Sequence, residues 1–143
     1  MDTAIRRLFE RYEQYFARAL AGHADPAEAA ALYASDFIAA SPLGVVSGKT
    51  DDAFLQVMAD GYAHYRDIGT QAMLIRNVDV QPINQAHAIA RVGWTATYQR
   101  KDLPKTVIDF DVHYLVQVRD GNAKVFGWIT DDEQAVLKQH GVI

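Results

Sequence analysis

Cysteine is absent from the 143 residues, which excludes disulfides, thiolate nucleophiles and thiolate metal sites together. A chain of this kind suits a reducing interior, and a cytoplasmic location is expected. Clusters of basic residues are missing too. Fourteen Lys and Arg stand against eighteen Asp and Glu, giving a net charge of -4, and the cations are scattered. The footprint of phosphate-backbone binding is therefore not there, and no nucleic-acid partner is expected. No uncharged run approaches the length of a membrane span. Asp2, Arg6, Arg7, Glu10, Arg11, Glu13 and Arg18 also break up the stretch in which a secretory leader would need an apolar core, so neither a leader nor a membrane partner is expected. Neither G-x-G-x-x-G nor a P-loop occurs, and Ser41 and Ser47 lie in no G-x-S-x-G setting. His23, His64, His87 and His140 fall on different predicted elements without ligand spacing. No metal and no cofactor are expected.

What is present is the composition of a folded domain. Half of the residues are hydrophobic and 22% are charged, enough apolar material to build one core over residues 1–143 as a single domain. The chain is organised around Thr106 to Thr130, two apolar-rich runs joined at Asp120, Gly121 and Asn122, a hairpin turn by its residues. A hairpin cannot bury its faces unaided, so the preceding chain must cover it.

That preceding chain is first helical, then extended. Ile5, Leu8, Phe9, Tyr12, Phe16, Ala19 and Leu20 recur at helical spacing from about Thr3 to Ala21, and Gly22 ends the run. Asp25, Pro26 and Glu28 supply a cap, a first-turn proline and a capping-box acid for a short helix through Tyr33. Phe37 to Ala40 and Val45 to Ser47 read as short extended pieces around a turn at Ser41 to Gly44. Thr50 is expected to cap a third helix with Phe54, Leu55, Met58, Tyr62 and Tyr65 on its stripe and Gly69 at its end. From Gln71 the period becomes two, with strands near Ala72 to Val80 and His87 to Arg100 and a turn at Pro82 to Gln85. Arg100 to Lys105 reads as a loop. Thr130 to Glu133 reads as a T-x-x-E capping box for a last helix stopping at Gly141. Helices segregated from a run of strands give an α+β class, with N-terminal helices packed on a curved, mainly antiparallel sheet and a short C-terminal helix.

With these elements in this order, and with LFERY in the first helix, LYASDF leading into SPLG and a later SGK, and DGNAKVFGWIT at the last strand, the chain resembles the nuclear transport factor 2-like superfamily. That superfamily includes ketosteroid isomerases and SnoaL-like polyketide cyclases and shares a cystatin-type cone. The resemblance implies a conical α+β barrel around an apolar pocket, often in homodimers joined through the sheet, in proteins that include enzymes, ligand binders and scaffolds. Tyr12 falls where the isomerases place an oxyanion-binding tyrosine. Their base aspartate, which precedes a proline, corresponds here to Ser41, and a hydroxyl is far too weak a base for that task. Their second acid aligns best with His113, with Asp111 one pleat away.

Strand parity bears on whether Tyr12, Asp111 and His113 could form a catalytic set. Ile108, Phe110, Val112, Tyr114, Val116 and Val118 share one face; Val107, Asp109, Asp111, His113, Leu115 and Gln117 share the other. Either face could look into the cone. Burying two aspartates and a histidine without partners is costly, so parity favours the aromatic side. On that side a ligand would meet Tyr12, Tyr15, Met58, Tyr62, Trp94, Tyr98, Phe110, Tyr114 and Trp128, rings with polar tips that suit a small organic molecule. Arg76 reads as an edge charge or a guanidinium for an acidic ligand. The expected function is a homodimeric pocket domain for a small apolar or aromatic metabolite. The alternatives are an isomerase, cyclase or dehydratase working by acid-base chemistry, and a protein-interaction scaffold acting through its sheet.

Overall fold

The computed structural model of the chain describes residues 1–100 and 104–143. Its helices are α1 (Asp2–Leu20), α2 (Pro26–Leu32), α3 (Asp52–Asp67) and α4 (Glu133–Gln139), and its strands are β1 (Tyr33–Ser41), β2 (Gly44–Lys49), β3 (Thr70–Pro82), β4 (His87–Tyr98), β5 (Thr106–Arg119) and β6 (Asn122–Ile129). Part of the loop expected over Arg100 to Lys105 lies outside the described residues. The strands form one sheet in the order β2-β1-β6-β5-β4-β3. From β3 to β6 each strand pairs antiparallel with the next. β1 lies parallel to β6, so the first strand made by the chain closes onto the last. The α+β cone is the fold observed.

Helix starts follow capping chemistry, though not always at the expected residue. Asp25 accepts from the Ala27 N–H at 3.0 Å, as expected, while Glu28 turns to pair with Arg18 instead of completing a box. The α3 cap is Asp51, accepting from Phe54 N–H at 2.9 Å; Thr50 donates to the Ala34 carbonyl at 2.6 Å and ties the helix to β1. The α4 cap is Asp132, accepting from Ala135 N–H at 3.1 Å. Thr130 and Glu133 do not form the expected box, which frees Glu133 for another contact. Tyr33 is not the end of α2 but the first residue of β1.

Helix α1 lays Ile5, Leu8, Phe9, Phe16 and Ala19 into the core against β3 and the strands beyond it. Burial of each large side chain contributes about 1.5–3 kcal/mol. Polar pins fix its position. Arg6 donates to the Val78 carbonyl at 2.9 Å, and the Glu13 carboxylate accepts from the Ile75 N–H. That amide needs an outside partner because the β3–β4 register slips between Ile75 and Asn77, leaving Arg76 as the extra residue of a bulge.

The hairpin at the centre turns through Asp120 (φ 53°) and Gly121 (φ 76°). Two consecutive positive φ values define the two-residue turn whose twist matches the flanking strands. A Cβ at Gly121 would meet nothing within 4 Å, so only backbone conformation opposes a side chain there. Gly121→Ala is expected to lower stability by about 1 kcal/mol, read as a lower urea midpoint at unchanged slope. An unchanged midpoint would show that the turn does not hold this conformation in solution.

Candidate functional site

The inner face of the sheet carries large rings at successive positions. Trp94 and Tyr98 on β4 stand beside Phe110 and Tyr114 on β5, since Trp94 pairs with Phe110 and Ala90 with Tyr114 across the ladder. Small Ala90 and Ala96, both fully buried, keep these rings from colliding. Tyr12 and Phe16 descend from α1, one helical turn apart, and Phe54, Met58, Tyr62 and Tyr65 from α3. Between these layers lies a cavity of about 360 Å³, bordered also by Tyr33, Met73, Trp128, Gly61 and, from the C-terminal segment, Thr130, Asp131, Glu133, Val136 and Leu137.

Deep in the cavity the rings are joined by hydrogen bonds. Trp94 Nε1–H donates to the Tyr114 hydroxyl at 3.1 Å, and the Tyr33 hydroxyl donates to that of Tyr12 at 2.7 Å. The Tyr114 hydroxyl is close enough to lower the Tyr12 pKa. With Tyr33 donating to it, Tyr12 keeps its own proton as the donor of the group. Tyr12 lies deep in the protein yet retains accessible surface, and that surface faces the cavity it borders. The arrangement can donate a hydrogen bond to a carbonyl or ether oxygen. It cannot act as a base near neutrality, because burial raises the Tyr12 pKa against the lowering effect of Tyr33 and Tyr114.

The same holds for every tyrosine. Burial is the leading cause of a raised pKa at Tyr15, Tyr33, Tyr62, Tyr65 and Tyr114. Burial and then the charge of Glu133 push Tyr98 up to about 12. At the mouth the Tyr65 hydroxyl donates to Glu133 Oε1 at 2.5 Å, linking α3 to α4.

Of the residues expected to meet a ligand, Tyr12, Met58, Tyr62, Trp94, Tyr98, Phe110, Tyr114 and Trp128 border this cavity. Tyr15 does not. Three positions after Tyr12, it is rotated about 60° round the helix and stands edge-on to Tyr62 at 5.8 Å, behind the wall. Lining residues outside that expected set include Tyr33, Phe54, Phe16, Asp131 and Glu133. Tyr33 sits at the junction of α2 and β1, where neither helical nor strand period applies; Phe54 was visible on the α3 stripe but is indistinguishable there from a core residue.

Asp111 and His113 are not brought to Tyr12. Both lie on the outer face, where the Asp111 carboxylate accepts from Arg76 Nη2 at 3.1 Å and from Arg91 Nε and Nη2 at 3.2 and 3.0 Å. Asp111 borders the cavity, but its carboxylate is committed to these arginines. Asp109 accepts from Thr95 Oγ1 at 2.7 Å beside Arg76. Neither reading of Arg76 as a free charge holds, because the bulge sends its side chain across β4 to these aspartates. It passes over Gly93, whose Cβ would lie 2.8 Å from Arg76 Nη2 and 2.3 Å from Asn77 Oδ1. Among the described residues no cluster of His, Asp and Glu could hold a metal ion, and no helix is long and apolar enough to cross a membrane.

A conical α+β fold closed over an aromatic cavity defines the class. The model of the family described as NTF2-like protein (DUF6841) matches residues 2–133, and the chain belongs to that family. Among solved structures, an NTF2-like protein with a cystatin-like fold from Novosphingobium aromaticivorans is 16% identical, with 98% of this chain and 88% of that one covered at a TM-score of 0.67. A scytalone dehydratase candidate from the same species is 20% identical, covering 89% and 80% at a TM-score of 0.66. A ketosteroid isomerase-like protein from Erwinia carotovora atroseptica is 17% identical, covering 90% and 93% at 0.62. At such identities the likeness shows the fold alone. Comparison with curated proteins gives no match.

The buried phenols carry a consequence for pH. Their folded pKa values are raised, so the neutral rings favour the folded state fully below about pH 10, the unfolded tyrosine value. That contribution declines above pH 10, where the unfolded chain releases protons that the folded chain retains. A spectrophotometric titration of the native protein is expected to show little tyrosinate at pH 10, while the urea-unfolded chain is about half ionised there. Native ionisation of most of the seven tyrosines at pH 10 would contradict the enclosed ring cluster.

Proposed function

We propose that the protein binds a small, largely apolar aromatic molecule in the cavity between its helices and sheet. One observation carries this reading: the rings of α1, α3, β4, β5 and β6 surround a volume of about 360 Å³, within the size of small-ligand pockets, where a ring-filled core would have closed. The Tyr12 hydroxyl supplies the polar anchor, a donor suited to a carbonyl or ether oxygen of the ligand. Acid-base catalysis through Asp111 and His113 is not supported, since Asp111 is neutralised by two arginines on the far side of the sheet.

The test uses a neutral fluorescent probe, 1-aminoanthracene, and a variant that fills the cavity without removing a contact. Gly61 borders the cavity from within α3, and a Cβ there would meet nothing within 4 Å. Gly61→Leu also replaces a poor helix former with a good one, so stability is expected to hold or rise by about 1 kcal/mol while probe affinity falls at least about tenfold. Both tryptophans of the chain, Trp94 and Trp128, border the site and report occupancy independently by quenching. A wild type that leaves the probe unbound, or a Gly61→Leu variant that binds it equally well, would reject the cavity as the site.

We also infer that two copies join through the outer face of the sheet. Ile38, Leu74, Val107 and Ile129 are each about half exposed there, at 45, 56, 54 and 50%, around the Arg76–Asp111–Arg91 ladder. A patch with both charge signs at its centre and apolar sides can complement itself about a two-fold axis. Light scattering is expected to give twice the chain mass, reduced to one by Ile129→Glu. A wild type that stays monomeric as its concentration is raised contradicts this arrangement.

A further inference from the structure

The wall of the cavity is aromatic, but its charge has a single sign. Apart from phenols, the ionisable side chains bordering it are Asp111, Asp131 and Glu133; no lysine, arginine or histidine is among its described lining residues. Asp111 is spent on Arg76 and Arg91. Asp131 and Glu133 therefore set the field at the mouth. Glu133 holds the Tyr65 hydroxyl through one oxygen, and its charge reaches both Tyr65 and Tyr98, where it is the largest cause of raised pKa after burial.

Helix capping does not account for these two acids. Asp132 caps α4 unaided, and the dipole of a helix this short repays a further first-turn acid with only a few tenths of a kcal/mol. Two carboxylates at the entrance of a ring-lined cavity repel an anionic ligand and attract a cationic one. Ring faces favour the same sign, because the quadrupole of Trp and Tyr attracts ammonium groups.

We propose that the cavity selects a cationic amine: a ligand whose ring system lies among Trp94, Tyr62 and Phe110 and whose ammonium sits at the mouth by Glu133 and Asp131. This rests on the cavity being the binding site and adds the charge class of what enters it. Carboxylates and phosphates of the same size are disfavoured.

Displacement of 1-aminoanthracene by three indoles of nearly equal shape tests it: tryptamine (cationic), 3-propylindole (neutral) and indole-3-propionate (anionic). Tryptamine is expected to displace the probe about tenfold better than 3-propylindole, with indole-3-propionate weakest and the tryptamine advantage reduced by added salt. In the Asp131→Asn/Glu133→Gln double variant most of that advantage should be lost while 1-aminoanthracene still binds. The Glu133→Gln change keeps an acceptor oxygen for the Tyr65 hydroxyl, so the mouth retains its structure without its charge. If the probe binds but tryptamine shows no advantage, or keeps it in the double variant, the charge preference is overturned and the cavity reading stands. If the probe does not bind the wild type, both fall.

Discussion

A pleated strand can give only one of its faces to the core, and the parity of β5 is the constraint on which the rest of this structure depends. Ile108, Val112, Tyr114 and Val116 are buried with Phe110 beside them, so Asp109, Asp111 and His113 must lie outside. A slip of one residue against β4 would reverse every side chain. The slip is resisted from both sides: inward, Tyr114 would lose Trp94 and Tyr12; outward, Asp111 would lose two arginines. Neither set of contacts needs to be strong singly, because both fail together.

Once β5 is set, the cavity follows from shape. Rings packed on a concave sheet under two helices cannot interdigitate as aliphatic side chains do, and the edge-to-face contacts of Tyr12 with Tyr33 and Tyr114 and its tilted contact with Trp94, at 5.7–5.9 Å between centroids, hold the rings apart as much as together. The hydrogen bonds from Tyr33 to Tyr12 and from Trp94 to Tyr114 pair polar tips within the ring cluster. A ring-lined, donor-rich volume results, with its carboxylates, Asp131 and Glu133, on the C-terminal segment. The fold is shared with proteins named for a dehydratase or an isomerase, while Asp111 and His113 here stand on the opposite face of the sheet from Tyr12.

The fold was legible in the sequence because each element carried its own period, and the clean alternation of β4 and β5 decided which residues face inward. Cavity residues on those strands and on the α1 and α3 stripes could be read in the same way, with Tyr15 the exception because it is buried against Tyr62 instead of bordering the cavity. Contacts that depend on a neighbouring element were not legible. Arg76 belongs to a bulge that no periodicity marks, and its reach to Asp111 depends on Gly93 of the next strand. Glu133 read as a capping acid because its partner, Tyr65, lies 68 residues away. Asp51 and Asp132 took the caps from Thr50 and Thr130, since where several adjacent residues can cap, tertiary contacts decide which one does. Thr50 was drawn instead to β1.

The two faces of the sheet divide the charge of the molecule in a way that composition hides. A net charge of -4 suggests a uniformly mild surface. Outside, Arg76 and Arg91 neutralise the aspartates of β5, so that face is polar yet nearly balanced. Inside, no cation among the described lining residues compensates Asp131 and Glu133, and the low dielectric of a ring-lined cavity screens their field less than open solvent would. An acid pair at such a mouth therefore acts over a longer distance inward than outward. Two charges that would be minor on an open surface are, at the rim of this cone, the basis of the charge preference proposed for its ligand.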